Sequence, residues 1–158
     1  MSDEKGFKQA QDVFKALCTM LDEHDWHYEK NAEKLMVKCG AQGEDLPMEL
    51  IVRVDADRRL ITLVSAMPFI IPENRRSALA VAVSKANYGL PDGSFDYEYT
   101  SGKIWFRMTS SYIESLIGKD LFEYMLMCSC FFIDKYNDKF LKVVLSEMTV
   151  NEILNFIE

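Results

Sequence analysis

The stretch Phe95-Asp96-Tyr97-Glu98-Tyr99-Thr100-Ser101-Gly102-Lys103-Ile104-Trp105-Phe106-Arg107-Met108 decides the fold. Phe95, Tyr97 and Tyr99 alternate with Asp96 and Glu98. Ile104, Phe106 and Met108 alternate with Trp105 and Arg107. Alternation is the side-chain period of a strand, so two strands are read here, each with an apolar and a polar face. A two-residue turn at Ser101-Gly102 sets Tyr99 opposite Ile104, Tyr97 opposite Phe106 and Phe95 opposite Met108. On the other face it sets Asp96 opposite Arg107 and Glu98 opposite Trp105. Opposed charges and a continuous apolar face together favour this antiparallel register.

Upstream, residues 46–55 alternate in the same way, with Met48, Leu50, Val52 and Val54 on one face and Glu49, Ile51, Arg53 and Asp55 on the other. Asp55-Ala56-Asp57-Arg58 supplies a turn, and 59–67 form the returning strand. Earlier β structure is read in Trp26-His27-Tyr28 and Leu35 to Cys39, with Gly40 and Gly43 breaking the pattern. Residues 7–24 carry Phe7, Ala10, Phe14, Leu17, Cys18 and Leu21 at helical spacing. A second helix begins at Pro72 or Glu73, buries Leu79, Ala82, Val83 and Ala86, and ends at Asn87-Tyr88-Gly89, with Gly89 placed for a left-handed cap. From about Asp120 a third helix is apolar on every side as far as Ile133, which predicts a subunit interface or, failing that, cover from the C-terminal segment. Residues 149–157 form a short helix with Thr149 and Glu152 as a capping box. Strands joined by short turns and punctuated by helices make an α+β protein with an antiparallel sheet packed against helices. No repeat or linker divides the 158 residues, so one domain is expected over 1–158, with a core at about 7–145 and a helical extension at 146–158.

Composition narrows function by exclusion. Lys and Arg number 18 against 25 Asp and Glu, a net charge of −7 that suits neither nucleic-acid backbone nor anionic surfaces. The ten-residue run Tyr124–Ile133 is too short to span a membrane, and Met1–Gly6 has no secretory pattern, so a cytoplasmic protein is expected. Cys18, Cys39, Cys128 and Cys130 form no C-x-x-C pair and read as buried, reduced thiols. The two histidines, His24 and His27, lie at a helix end without the spacing of a metal pair. Asp55-Ala56-Asp57 is like the opening of a calcium loop, but Leu60 and Ala66 stand where Gly and Glu are required. Ser110 and Ser111 have no neighbouring histidine, and no glycine-rich phosphate loop occurs. Arg58-Arg59 and Arg75-Arg76 read as solvated pairs. Neither a metal nor another cofactor is expected.

Three segments together carry a family resemblance: Pro72-Glu73-Asn74-Arg75-Arg76, then Asn87-Tyr88-Gly89-Leu90-Pro91-Asp92-Gly93-Ser94-Phe95, then Gly102-Lys103-Ile104-Trp105-Phe106-Arg107. The chain resembles the YbjN family of bacterial domains, sometimes labelled sensory transduction regulators, whose fold is similar to that of type III secretion chaperones. The resemblance covers residues 7–145. It implies an α-β-β-β-α-β-β-α order and dimers, and it brings no catalytic set. The capped segment at 149–157 is an addition to that pattern.

The function expected is a noncatalytic protein-binding module, chaperone-like or a regulatory adaptor, acting as a homodimer on a protein or peptide client. The nine methionines, several beside phenylalanines near the C-terminus, suit an adaptable surface. Phe69, Trp105, Met125 and Phe132 are the candidate binding residues. The alternative is a small-molecule sensor lined by Trp105, Tyr97, Tyr88 and Phe69, with Arg107 or Arg75 selecting an acidic group. An enzyme would need carboxylates such as Asp96 and Glu98 converging in a cleft, and no enzyme is expected.

Overall fold

The computed structural model describes residues 2–115 and 117–158. Helix α1 (Ser2–Glu23) is followed by four strands, β1 (Tyr28–Asn31), β2 (Met36–Gln42), β3 (Pro47–Asp55) and β4 (Leu60–Ala66). A 3₁₀ turn at Glu73–Arg75 leads into α2 (Arg76–Tyr88). Then come β5 (Ser94–Glu98), β6 (Lys103–Ser111), α3 (Lys119–Leu145) and α4 (Val150–Phe156). The six strands form one antiparallel sheet in the order β1-β2-β3-β4-β6-β5. The α+β class and the antiparallel sheet are therefore as expected. The order carries one strand more before α2 than α-β-β-β-α-β-β-α, because the stretch from 26 to 39 folds as a hairpin. Gly40 does not break β2 but lies within it, opposite Glu49.

The strand residues buried from solvent all fall on one face. Met48, Leu50, Val52 and Val54 of β3 meet Val37 and Cys39 of β2, Ile61 and Leu63 of β4, and Ile104, Phe106 and Met108 of β6. The helices cover this face. The predicted inner face of α2 is the observed one, Leu79, Ala82, Val83 and Ala86. On α1 the buried set includes Val13 and Met20, while Phe7 is exposed at the margin. Phe95 of β5 stands edge-on to Phe106, Tyr136 and Phe140 at centroid distances of 5.2, 5.7 and 5.0 Å, an aromatic cluster joining sheet to α3.

The β5–β6 register differs from the predicted one by two residues: Phe95 pairs with Phe106, Tyr97 with Ile104 and Glu98 with Lys103. The loop has four residues, not two. A shift of two keeps every side chain on its predicted face, because two is the strand period. The reason for the longer loop is local. The Glu98 carboxylate accepts the backbone N–H groups of Thr100 (2.9 Å) and Ser101 (2.6 Å), and Gly102 closes the loop at φ +72°. The same device recurs twice. Asn31 accepts from the Lys34 amide before Leu35 at φ +49°, and Asp55 accepts from Asp57 and Arg58 before Arg59 at φ +53°.

Gly102 also serves packing, since a Cβ there would overlap the Ile71 carbonyl oxygen. Gly93, at φ +73°, gives the Phe106 ring its space. Gly89, by contrast, has φ −89° and is not the left-handed cap that was predicted. Asn87 instead marks the end of α2. Its side chain donates to the Phe95 carbonyl (2.9 Å) and accepts from the Phe95 amide (2.7 Å), so one amide side chain imitates a strand partner along the outer edge of β5. The capping box of α4 forms as read, but only Ile153 and Ile157 turn inward; Val150 and Leu154 stay exposed.

Candidate interaction surface

The helices leave the other face of the sheet bare. Strands β3, β4 and β6 project Ile51, Thr62, Val64 and Trp105 there, each half-buried by its neighbours, with Met36 of β2 and Leu60 of β4 beside them. Across one row the register sets Lys38, Ile51, Val64 and Arg107 side by side. Lys38 and Arg107, which border this apolar strip, are paired, whereas Arg53 and Lys103 on the same face make no ion pair among the described residues. Lys38 meets Glu49 at 3.1 Å and Arg107 meets Asp96 at 2.5 Å. Asp96 was expected directly opposite Arg107. It lies opposite Trp105, and the long arginine side chain spans the diagonal to reach it.

At the end of β4 the bare face dips. A hollow of about 280 Å³ is lined by Ala66, Met67, Phe69, Ile70, Lys103 and Trp105. A second, open hollow of about 700 Å³ shares Ala66 and Met67 with it and extends past Gly40 and Glu49 to Tyr28. Ala66 lines both, and Gly40, which has no side chain, lines the second. Together they form one trough along the strand ends.

The four candidate binding residues divide. Phe69 and Trp105 line the same hollow. Phe132 is half-buried on α3, edge-on to Phe131 at 5.1 Å. Met125 is only 1% exposed and belongs to the core; its carbonyl accepts from the Ser129 hydroxyl at 2.6 Å. Met125 therefore offers packing and no surface. Apart from Leu145 at its last position, the large exposed apolar groups of α3 are Tyr124, Met127 and Phe131. Their three- and four-residue spacing is the signal that separates them from Met125. Reading the helix as uniformly apolar hides it.

The sensor constellation does not assemble. Tyr97 packs against the helical layer and donates to the Arg76 carbonyl (3.1 Å), while Tyr88 is exposed at the end of α2. Arg75 donates to the carbonyls of Val143 (2.7 Å) and Ser146, tying the start of α2 to the end of α3. Arg76 donates to Ile71 (3.1 Å) and Thr100 (2.5 Å). These arginines are framework groups rather than a solvated pair, and Arg107 is held by Asp96.

Other titratable groups are held by local contacts or burial. The Glu98 carboxyl is held down to about 2 by its loop hydrogen bonds. Burial pushes the Cys39 thiol up to about 12 and Cys130 to about 11, and it raises Cys18 and Cys128. All four thiols are kept protonated and weakly nucleophilic at neutral pH. His24 lies 3.6 Å from Glu123, while His27 lines the larger hollow. Among the described residues no cluster of His, Cys, Asp and Glu could hold a metal ion.

Most of the segments that carried the family resemblance thus have structural tasks: Asn87 clamps Phe95, Gly93 admits Phe106, Gly102 closes the hairpin and Arg107 holds Asp96. Comparison of the whole chain agrees. It is similar to the crystal structure of YbjN from E. coli, "a putative transcription regulator", with a TM-score of 0.56 and 11% identity, over 80% of this chain and 92% of that one. The fold is YbjN-like. No family model matches the sequence, and no curated protein is similar to it. At this identity the YbjN-like likeness concerns backbone architecture, with the surface residues free to differ.

Proposed function

We propose that the chain is a noncatalytic regulatory adaptor that acts as a homodimer and holds an extended segment of another protein on the bare face of its sheet. One observation carries this reading. The six-stranded sheet carries its helices on one face and leaves an apolar strip on the other, where Lys38 and Arg107 are already paired with Glu49 and Asp96. Pairing makes Lys38 and Arg107 less costly to cover than lone cations, and Trp105 with Phe69 supplies the aromatic anchor typical of binding hot spots. The trough at the end of β4 gives an extended segment a direction to follow.

Regulation fits the description of the YbjN neighbour. It would proceed through protein contacts rather than DNA phosphates, given the net charge of −7. No helix among the described residues is long and apolar enough to cross a membrane, and the reduced thiols suit a cytoplasmic setting. A sensor of acidic ligands would have to use the trough without Arg75 or Arg107.

The test is affinity capture from host lysate with the tagged protein, run beside Trp105→Glu and Phe132→Glu variants that retain the circular dichroism of the wild type. A partner bound by the wild type and lost with Trp105→Glu supports the reading. Capture indifferent to Trp105, or a wild type that captures nothing above background, defeats it.

A further inference from the structure

The outer side of α3 carries a pattern that the bare sheet does not. Buried residues Phe122, Met125, Ser129, Ile133, Tyr136 and Phe140 define its inner side. On the opposite side, Asp120, Tyr124, Met127, Phe131 and Lys135 follow one another at three- and four-residue steps, all exposed. The stripe is about 24 Å long at 1.5 Å per residue. It begins with an anion and ends with a cation; between them lie Met127, Phe131 and Tyr124, whose hydroxyl donates to Asp92 (3.2 Å). Neither Asp120 nor Lys135 makes an ion pair among the described residues, although Lys135 Nζ rests 5.1 Å from the centre of the Tyr136 ring. The C-terminal segment does not cover the stripe, since α4 packs against α2. The β2–β3 loop borders the stripe across an open groove at Met127, Phe131 and Lys135, and all three stay exposed.

We propose that a second copy of this chain covers it, through antiparallel pairing of the two α3 helices about a two-fold axis between Met127 and Cys128. The inference rests on the homodimer of the preceding reading and assigns its surface. The spacing is self-complementary about that point. Asp120 and Lys135 are equidistant from it, as are Tyr124 and Phe131. An isologous contact therefore sets each Asp120 beside the Lys135 of the other copy and each Tyr124 beside its Phe131. A parallel pairing would oppose like with like at both ends. The arrangement keeps the bare sheet face free on both copies, on the far side of each sheet from the seam.

Sedimentation velocity of the full chain over a range of concentrations tests the seam, with folding checked by circular dichroism. The expected result is a wild-type dimer that becomes a monomer with Phe131→Glu. Asp120→Lys and Lys135→Asp should each weaken the dimer roughly tenfold at low salt, because each change reverses two symmetric pairs. The double variant D120K/K135D should regain the wild-type affinity. A dimer unaffected by Phe131→Glu overturns the seam and leaves the homodimer standing elsewhere. A wild type that stays monomeric overturns both, and a monomer whose captured client is lost with Phe131→Glu assigns the stripe to that client instead. Single charge variants that weaken the dimer without recovery in the double variant overturn the antiparallel register.

Discussion

Trp105 and Phe106 are covalent neighbours on β6 and live in different environments. Phe106 is fully buried between Phe95 and the helices; Trp105 stands half-exposed on the uncovered face above a hollow. Both faces are rich in apolar groups, yet only one is closed. The difference teaches that hydrophobicity along a strand reports its period, not which face is covered. The covered face is recognised by continuity with helices, and the bare one by the charged residues Lys38, Arg53, Lys103 and Arg107 that border its apolar strip.

Removing one side chain from each face is the sharpest way to break this contrast. Phe106→Ala should cost about 3–5 kcal/mol in denaturant unfolding, the range for a large aromatic in a close-packed core. A loss below about 1 kcal/mol would mean that the covered face is loosely packed. Gly102→Ala comes next, at no less than about 2 kcal/mol, from its left-handed backbone and the overlap with the Ile71 carbonyl. The equivalent loop position at Arg59 already carries a side chain at positive φ, so Arg59→Gly should be neutral or stabilising by up to about 1 kcal/mol. Trp105→Ala should cost only about 1 kcal/mol of stability while abolishing client capture. An equal loss from Trp105→Ala and Phe106→Ala would erase the distinction between the faces.

The smallest effect concerns acid. The folded pKa of Glu98, about 2, lies below its ordinary value of 4.5. Its ionised form therefore favours the folded state fully above pH 4.5, and that contribution disappears as pH falls toward 2. Wild type should exceed Glu98→Gln in stability at neutral pH, with most of the difference gone by about pH 3. A difference that does not change with pH would show that the loop amides gain nothing from the charge.

The sequence made the closed face legible and the open one only partly so. Met48 to Val54 on β3 and Leu79 to Ala86 on α2 each follow a single period, so their inner sides could be read directly. The hairpin register could not, because registers two residues apart share the same faces and the diagonal Asp96–Arg107 pair satisfies both. The choice was made by the Glu98 carboxylate, a side chain-to-backbone effect that alternation does not encode. On α3 the sequence Phe131-Phe132-Ile133 places similar residues in exposed, half-buried and buried settings in succession. Composition cannot order them; angular position on the helix does. Met125 and Met127 divide for the same reason, and only Met127 reaches the surface.

The side chain of Asn87 has one further consequence, for association rather than for folding. A sheet with two open edges can add copies of itself without limit and grow into a filament. Here the β5 edge is occupied at Phe95 by an amide that already uses both backbone groups, whereas no side chain among the described residues caps the short β1 edge in this way. A strand added at the β5 edge must first displace Asn87 from Phe95, so growth of the sheet on that side costs two hydrogen bonds before it gains any.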